Sequence, residues 1–321
     1  MDIIEKEIEK LLHGIPLNSL KKYFKCYSSA YRGGKGSEAS LPSKMEKICY
    51  LATRFPATSA AVTYVLKECE RRMGKVTSCL DLGSGPGTTL FSMLHLGWEL
   101  ERVVLVERNK EFTLLGKSLI ASLEKQEGVL LPSIAWHEEC MSSFLEKEGS
   151  YDLSIFSYSI GEIEEKELKP ILERAFQRSK KGVVIVEPGT PRAFKHLLKA
   201  RRVLTMCGGH VVAPCPSSQE CPLAHREDWC HFSTRLSRTS LHRKIKEGDL
   251  GYEDEKFSYM IIAKEPLAPC PARILKQKRN SGHIQMELCT PFGLKNTTIS
   301  KKDNDLFKIA KKKECGDCFF I

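Results

Sequence analysis

The chain lacks any apolar run approaching the ~20 residues that a helix needs to cross a bilayer, so no membrane partner is expected. Aromatic residues are scarce, at 8% with three tryptophans. Even so, 41% hydrophobic and 28% charged residues are proportions of a globular protein, which excludes a disordered chain. The first residues, Met1 to Glu7, are acidic and amphipathic. They lack the apolar stretch of a secretory signal and the Arg/Ser-rich bias of a transit peptide, so the expected location is cytoplasmic. An acidic excess is missing too: 50 Lys and Arg against 40 Asp and Glu give a net charge of +10. Between residues 271 and 321, eleven basic side chains face five acidic ones, and Arg235, Arg238, Arg243, Lys244 and Lys246 form a second basic stretch. Such unevenness favours a polyanionic partner held through phosphate contacts; a solvated basic tail is the plainer alternative. Cysteine, by contrast, is plentiful: there are thirteen, eight of them after residue 206. The odd total without a secretion signal argues against a disulfide framework and for metal binding or catalysis.

A length of 321 residues can bury a sizeable core. Residues 1–74 read as a helical region, with a break at Gly14-Ile15-Pro16, a loop over 31–37, a helix from Ser43 and another over 58–72. Pro56 marks the junction of the last two, where Arg54 is a candidate ligand contact or an interhelix ion pair. Residues 75–265 alternate strand and helix, which predicts a parallel sheet covered by helices on both faces. Strands are expected at 78–82, 102–106, 133–136, 151–158, 182–187, 210–213 and 257–263, the last two antiparallel. Residues 266–321 form a basic extension with two short strands, 272–276 and 283–289, joined by a basic turn.

The chain is organised around residues 78–90, a buried strand, a glycine turn and the start of a helix. The turn lacks the third glycine that G-x-G-x-x-G would require, reading G-S-G-P-G instead. Gly83 and Gly85 permit positive φ and a close backbone approach by a ligand, and Thr88 or Thr89 is expected to cap the helix. The second strand ends in Glu107, whose carboxylate can accept both hydroxyls of a ribose. The fourth strand lacks the N-P-P-[YFW] of exocyclic-amine methyltransferases and carries Ser157-Tyr158-Ser159-Ile160-Gly161-Glu162. The motif D-L-G-S-G-P-G-T resembles the first motif of seven-strand S-adenosylmethionine (SAM)-dependent methyltransferases, whose loop backbone faces the methionine end of SAM. That resemblance implies an α/β, Rossmann-like methyltransferase fold with Asp81, Gly83, Ser84, Gly85, Gly87, Glu107 and Tyr158 as cofactor-binding residues. It also places His137, Glu138 and Glu139 near the adenine, and leaves Tyr158 and Glu162 as candidate substrate contacts.

Between the sixth and seventh strands, an insertion over 214–233 holds Cys215, Cys221 and Cys230 among prolines. The spacing C-x5-C-x8-C lacks the short C-x2–4-C knuckle typical of zinc ribbons, although a zinc site of four cysteines, or of three cysteines and a histidine, stays open. Loose spacing also suits an iron–sulfur cube. Buried apolar thiols, or a Cys215 nucleophile in its Pro214-Cys215 context, are the remaining readings. Taken in order, Y-L-A-T-R-F-P-A-T at 50–58, the Asp81 loop, S-Y-S-I-G-E-I at 157–163 and the A-P-C-P…C-P-L…W-C-H-F-S box resemble methyltransferase-like assembly proteins of the mitochondrial small ribosomal subunit and their bacterial relatives. The resemblance covers the chain from about residue 40. It implies a [4Fe–4S] cluster on Cys215, Cys221 and Cys230, with Cys289 of Met286-Glu287-Leu288-Cys289-Thr290 as fourth ligand. Cys315 and Cys318 are left unassigned. The expected function is a SAM-binding methyltransferase-like protein acting on the small ribosomal subunit or its rRNA. The alternatives are a non-catalytic assembly factor binding SAM and rRNA, or a methyltransferase with structural zinc and another substrate.

Overall fold

The computed structural model describes residues 2–32, 41–125 and 129–320. The expected loop over 31–37 falls outside them from residue 33 onward. Among the described residues four helices come first: α1 (Asp2–Leu12), α2 (Leu17–Arg32), α3 (Lys44–Thr53) and α4 (Phe55–Met73). Ser43 starts α3 with a capping box, its hydroxyl accepting from the Glu46 N–H while the Glu46 carboxylate accepts from the Ser43 N–H at 2.9 Å. Pro56 lies at the start of α4, where a missing N–H costs nothing, so the chain turns at Arg54.

The central domain then runs β1 (Ser78–Leu82), α5 (Thr88–His95), β2 (Arg102–Val106), α6 (Lys110–Glu124), β3 (Ser133–His137), α7 (Met141–Phe144), β4 (Tyr151–Ser157), α8 (Glu165–Arg178), β5 (Ser179–Pro188), α9 (Pro191–Met206), β6 (His210–Ala213), β7 (Phe232–Ser237), α10 (Ser240–Lys246) and β8 (Tyr252–Ala263). The sheet order is β3-β2-β1-β4-β5-β8-β6, with β7 paired to β8. Strands β1 to β5 run parallel to one another, and β8 runs antiparallel to β5, β6 and β7. This is the expected seven-strand methyltransferase fold, with β8 as its seventh strand.

Apolar residues point alternately to two cores, as strand geometry requires. Cys79, Val103 and Leu105 join α4, α5, α6 and the N-terminal residues Ile4, Ile8 and Leu20 on one face. Leu80, Leu82, Val104 and Val106 join residues of α8 and α9 on the other. A separate core around Ile274, Met286, Leu288 and Phe319 holds together β9 (Arg273–Arg279), β10 (His283–Thr290), β11 (Gly293–Ser300) and α11 (Asn304–Lys312).

Three expectations change. The seventh strand begins five residues earlier, at Tyr252 rather than 257, because its polar first half pairs with β7, a strand that the sequence pattern does not separate from the insertion. In the extension, β9 continues to Arg279, so Gln277, Lys278 and Arg279 lie on a strand and not in the turn. Strand β11 and helix α11 are additions to the expected pair of strands: β11 buries only Ile299, so its sequence carries little apolar alternation.

Candidate cofactor site and cysteine cavity

The loop after β1 is pinned to the neighbouring strand, with the Gly83 and Ser84 N–H groups donating to the Val106 carbonyl at 2.9 and 3.1 Å. Gly83 has φ +77°, and a Cβ there would sit 2.6 Å from Ser159 Cβ and 2.7 Å from Met141 Cε, so no side chain fits. Gly85, at φ +54°, is the opposite case, because a Cβ would meet nothing within 4 Å and would project into open space. The first residue of α5 follows Gly87, a left-handed N-cap without a side-chain bond. Thr88 and Thr89 therefore lie inside the helix and do not cap it, contrary to the expectation from sequence.

That open space is a cleft of about 470 Å³ at the carboxyl ends of β1, β2 and β4, a size ordinary for small-molecule sites. Of the residues expected to bind cofactor, Gly83, Ser84, Gly85, Glu107 and Tyr158 line it, and Asp81 and Gly87 do not. Asp81 is fully buried below the loop, neither carboxylate oxygen has a hydrogen-bond partner among the described residues, and burial pushes its carboxyl up to about 7. Ser84, Thr58, Thr89 and Ser157 line the cleft with buried hydroxyls equally unpartnered among the described residues. Such a set of orphaned polar atoms is costly unless a ligand satisfies it.

Glu107 reaches back over the loop. Its Oε2 accepts from the Gly85 N–H at 2.9 Å and its Oε1 from the Asn109 N–H at 2.7 Å; burial raises its pKa against those bonds. Glu162 also lines the cleft. Glu187, at the end of β5, is held out of it: it accepts from the Ile160 N–H at 3.0 Å, and burial pushes its carboxyl up to about 8. Of the three residues expected near an adenine, Glu139 lines the cleft, whereas His137 packs on Phe144 with ring centroids 4.8 Å apart, and neither it nor Glu138 contributes.

Tyr158 holds φ +55°, uncommon for a non-glycine residue and typical of strain kept at a site. Its hydroxyl donates to Glu255 Oε1 at 2.9 Å, and Arg54 donates to both oxygens of the same carboxylate at 2.8 and 3.0 Å. Arg54 thus makes an ion pair with β8 and not a ligand contact. One turn to either side of it, Tyr50 and Thr58 reach the cleft, as do Phe112 and Met141, none of which sequence reasoning assigns to the site. The signal was present: positions 50, 54 and 58 recur at helical spacing, but only packing decides which of them faces the cleft.

The second site is a cavity against α9. Cys215, Cys221, Cys230 and Cys289 all line it, with Arg201 and Arg273. Burial raises the pKa of the Cys221 and Cys230 thiols and pushes Cys289 up to about 12, each also raised by neighbouring cysteines of the set. Arg201 Nε is buried with no partner among the described residues, while its Nη2 donates to the Ser217 carbonyl at 2.9 Å. Tetrahedral zinc, at Zn–S of ~2.3 Å, requires sulfurs only ~3.8 Å apart. Among the described residues no three or more His, Cys, Asp or Glu side chains group closely enough to hold a metal ion. No helix among the described residues is long and apolar enough to cross a membrane.

Several solved structures are similar to this chain. A putative RNA methyltransferase from Pyrococcus horikoshii is 16% identical, with a TM-score of 0.38 over 65% of this chain and 84% of its own. Magnesium protoporphyrin IX methyltransferase from Synechocystis, with bound SAM, is 10% identical, with a TM-score of 0.40 over 78% and 97%. The same enzyme with bound SAH is 8% identical, with a TM-score of 0.42 over 78% and 99%. No curated protein sequence matches the chain. The family model described as "Mitochondrial small ribosomal subunit Rsm22" matches residues 44–320, which takes in the loop, the cleft and all four cysteines of the cavity, and the chain belongs to that family.

Proposed function

We propose that this protein binds SAM in the β1–β2–β4 cleft and acts on the small ribosomal subunit or its rRNA, with a [4Fe–4S] cluster on Cys215, Cys221, Cys230 and Cys289. The observation that carries the cofactor reading is the open φ-positive Gly85 beside Glu107, ringed by unpartnered buried hydroxyls. SAM supplies a methyl group on a cationic sulfonium. Glu107 and Glu162 line the cleft with carboxyl groups, Asp81 lies buried below its loop, and the two oxygens of Glu107 match a pair of ribose hydroxyls. Tyr50 and Phe112 supply apolar wall. For the cluster, the support is four thiols on one cavity together with the guanidiniums of Arg201 and Arg273, since an iron cluster spaces its thiolates more widely than a single ion does. The ribosomal reading rests on the family and on Lys278, Lys295, Lys301, Lys302, Lys311 and Lys312. All six are exposed and, among the described residues, unpaired with acids.

One observation favours the non-catalytic alternative. The Tyr158 hydroxyl, one of the polar groups at the fourth-strand exit, is already committed to Glu255. Proximity alone can still drive transfer. Incubation of small-subunit particles with SAM labelled in its methyl group separates the two: label in rRNA supports an enzyme, and binding without label supports an assembly factor.

Calorimetric titration tests the cofactor site. Gly85→Ala is expected to fold, because its Cβ meets no protein atom, yet to lose SAM affinity by ~tenfold or more, as the methyl group enters the cleft at a left-handed position. Wild-type affinity in that variant would refute the assignment. The affinity should also follow pH. Free Asp81 releases its proton near 7, and a bound cation favours the carboxylate, so affinity is expected to rise as pH increases toward about 7 and then level off. In Asp81→Asn that rise should vanish; an unchanged slope would place the titrating group elsewhere.

A further inference from the structure

Cys315 and Cys318 look like a C-x-x-C pair in sequence, but the fold separates their roles. Cys315 is exposed, and burial of its sulfur raises its pKa. Cys318 is instead laid against β9 by an antiparallel bridge to Arg273, with the Phe319 N–H donating to the Ala272 carbonyl at 2.9 Å. That pairing brings Cys318 beside Cys270. Cys270 is fully buried, its sulfur 2.7 Å from the Ala272 carbonyl oxygen, whereas Cys318 is half-buried and can be reached from outside.

The surroundings are cationic. Arg72 Nη2 donates to Cys318 Sγ at 3.1 Å. A single buried carboxylate, Glu68, serves three guanidiniums: Arg71, Arg72 at 3.2 Å and Arg273 at 3.1 Å. Positive charge is therefore left over next to the sulfur, with Asp317 and the Tyr64 hydroxyl as the other titratable neighbours. The geometry points to Cys318 as a nucleophilic thiol, resolved by Cys270, that exchanges with a low-molecular-weight disulfide such as glutathione disulfide. The neighbouring Cys270 and the guanidiniums of Arg273, Arg72 and Arg71 draw the Cys318 thiol down to about 6, and the neighbouring Cys318 together with burial pushes Cys270 up.

The chemistry balances in two exchanges. The Cys318 thiolate attacks one sulfur of glutathione disulfide, forming a mixed disulfide and expelling one glutathione thiolate. Cys270 then gives up its proton and attacks Cys318 Sγ, forming the Cys270–Cys318 bond and expelling the second glutathione. Two protein thiols are oxidised as one glutathione disulfide is reduced. The bond would fasten the segment before β9 to the end of the chain and so hold the basic sheet in place. This site is separate from the cysteine cavity and does not depend on the proposed function.

Alkylation of the reduced, full-length protein with iodoacetamide at about pH 6, followed by peptide mass spectrometry, tests the nucleophile. Cys318 is expected to react ahead of the exposed Cys26, Cys140, Cys207 and Cys315, and Arg72→Met is expected to slow it ~3-fold or more. Glutathione disulfide should then yield a Cys270–Cys318 cross-linked peptide in the wild type and a lasting glutathione adduct on Cys318 in Cys270→Ser. A Cys318 no faster than Cys315, a rate unchanged in Arg72→Met, a Cys315–Cys318 cross-link or a lasting adduct in the wild type would each overturn the assignment.

Discussion

Glu68→Gln is expected to lower the unfolding free energy by ~3–5 kcal/mol, one of the largest single effects available in this chain. Glu68 and Arg273 are both 2% exposed and pair at 3.1 Å between α4 and β9, two elements more than two hundred residues apart. Arg273 also donates to the Pro214 carbonyl at 2.8 Å and to the Gly316 carbonyl at 2.7 Å. One side chain thus joins the N-terminal helices, the cysteine insertion and the chain end. Removing the carboxylate leaves its charge buried without a counter-ion, and the neighbouring Arg71 and Arg72 make this worse. Denaturant unfolding measures the loss. The double variant Glu68→Leu, Arg273→Met should recover much of it, because an apolar pair has no charge to desolvate. A Glu68→Gln protein within ~1 kcal/mol of wild type would mean that the extension is held by its apolar contacts alone.

Cys289→Ser should remove the proposed cluster outright. The wild type, purified without oxygen, is expected to carry about four irons and four sulfides per chain, with both lost in the variant. Cys289 is the member of the set that lies on β10, in the C-terminal sheet, whereas Cys215, Cys221 and Cys230 belong to the insertion. Losing it should also leave residues 266–321 more open to limited proteolysis. Cys270→Ser is the control, since Cys270 does not line the cavity and should leave iron unchanged. Iron retained in Cys289→Ser would exclude it as a ligand, and a folded, metal-free wild type would sink the cluster altogether.

The division between what was legible and what was not follows a physical line. Strand periodicity at residues 102–106, the glycine spacing at 83–87 and the proline at 56 are local features, and each appears in the fold where its own chemistry puts it. The parallel direction of β1 to β5 followed from the same alternation, because short βα connections leave few topologies. Failures came where an element is specified by its neighbour. Strand β7 and the polar half of β8 exist because each completes the hydrogen bonds of the other, from Phe232 with Phe257 to Ser237 with Tyr252. Gly116 is another case: a Cβ there would come within 2.4 Å of Trp136 and 2.8 Å of the Pro86 carbonyl, a constraint between α6, β3 and the loop that no local pattern shows.

The same distinction runs through the two sites. By itself, the amino-acid sequence determined the α/β class, the glycine loop with its acid at Glu107, and a cysteine-rich insertion, since turn chemistry and apolar period are written in neighbouring residues. Only the tertiary structure decided that Arg54 turns to Glu255 and that Cys318 lies beside Cys270, while Cys289 reaches the cavity of the insertion as the family resemblance implied. Each of these is a meeting between segments distant in the chain, selected by which buried charges and polar groups can satisfy one another once the cores have formed.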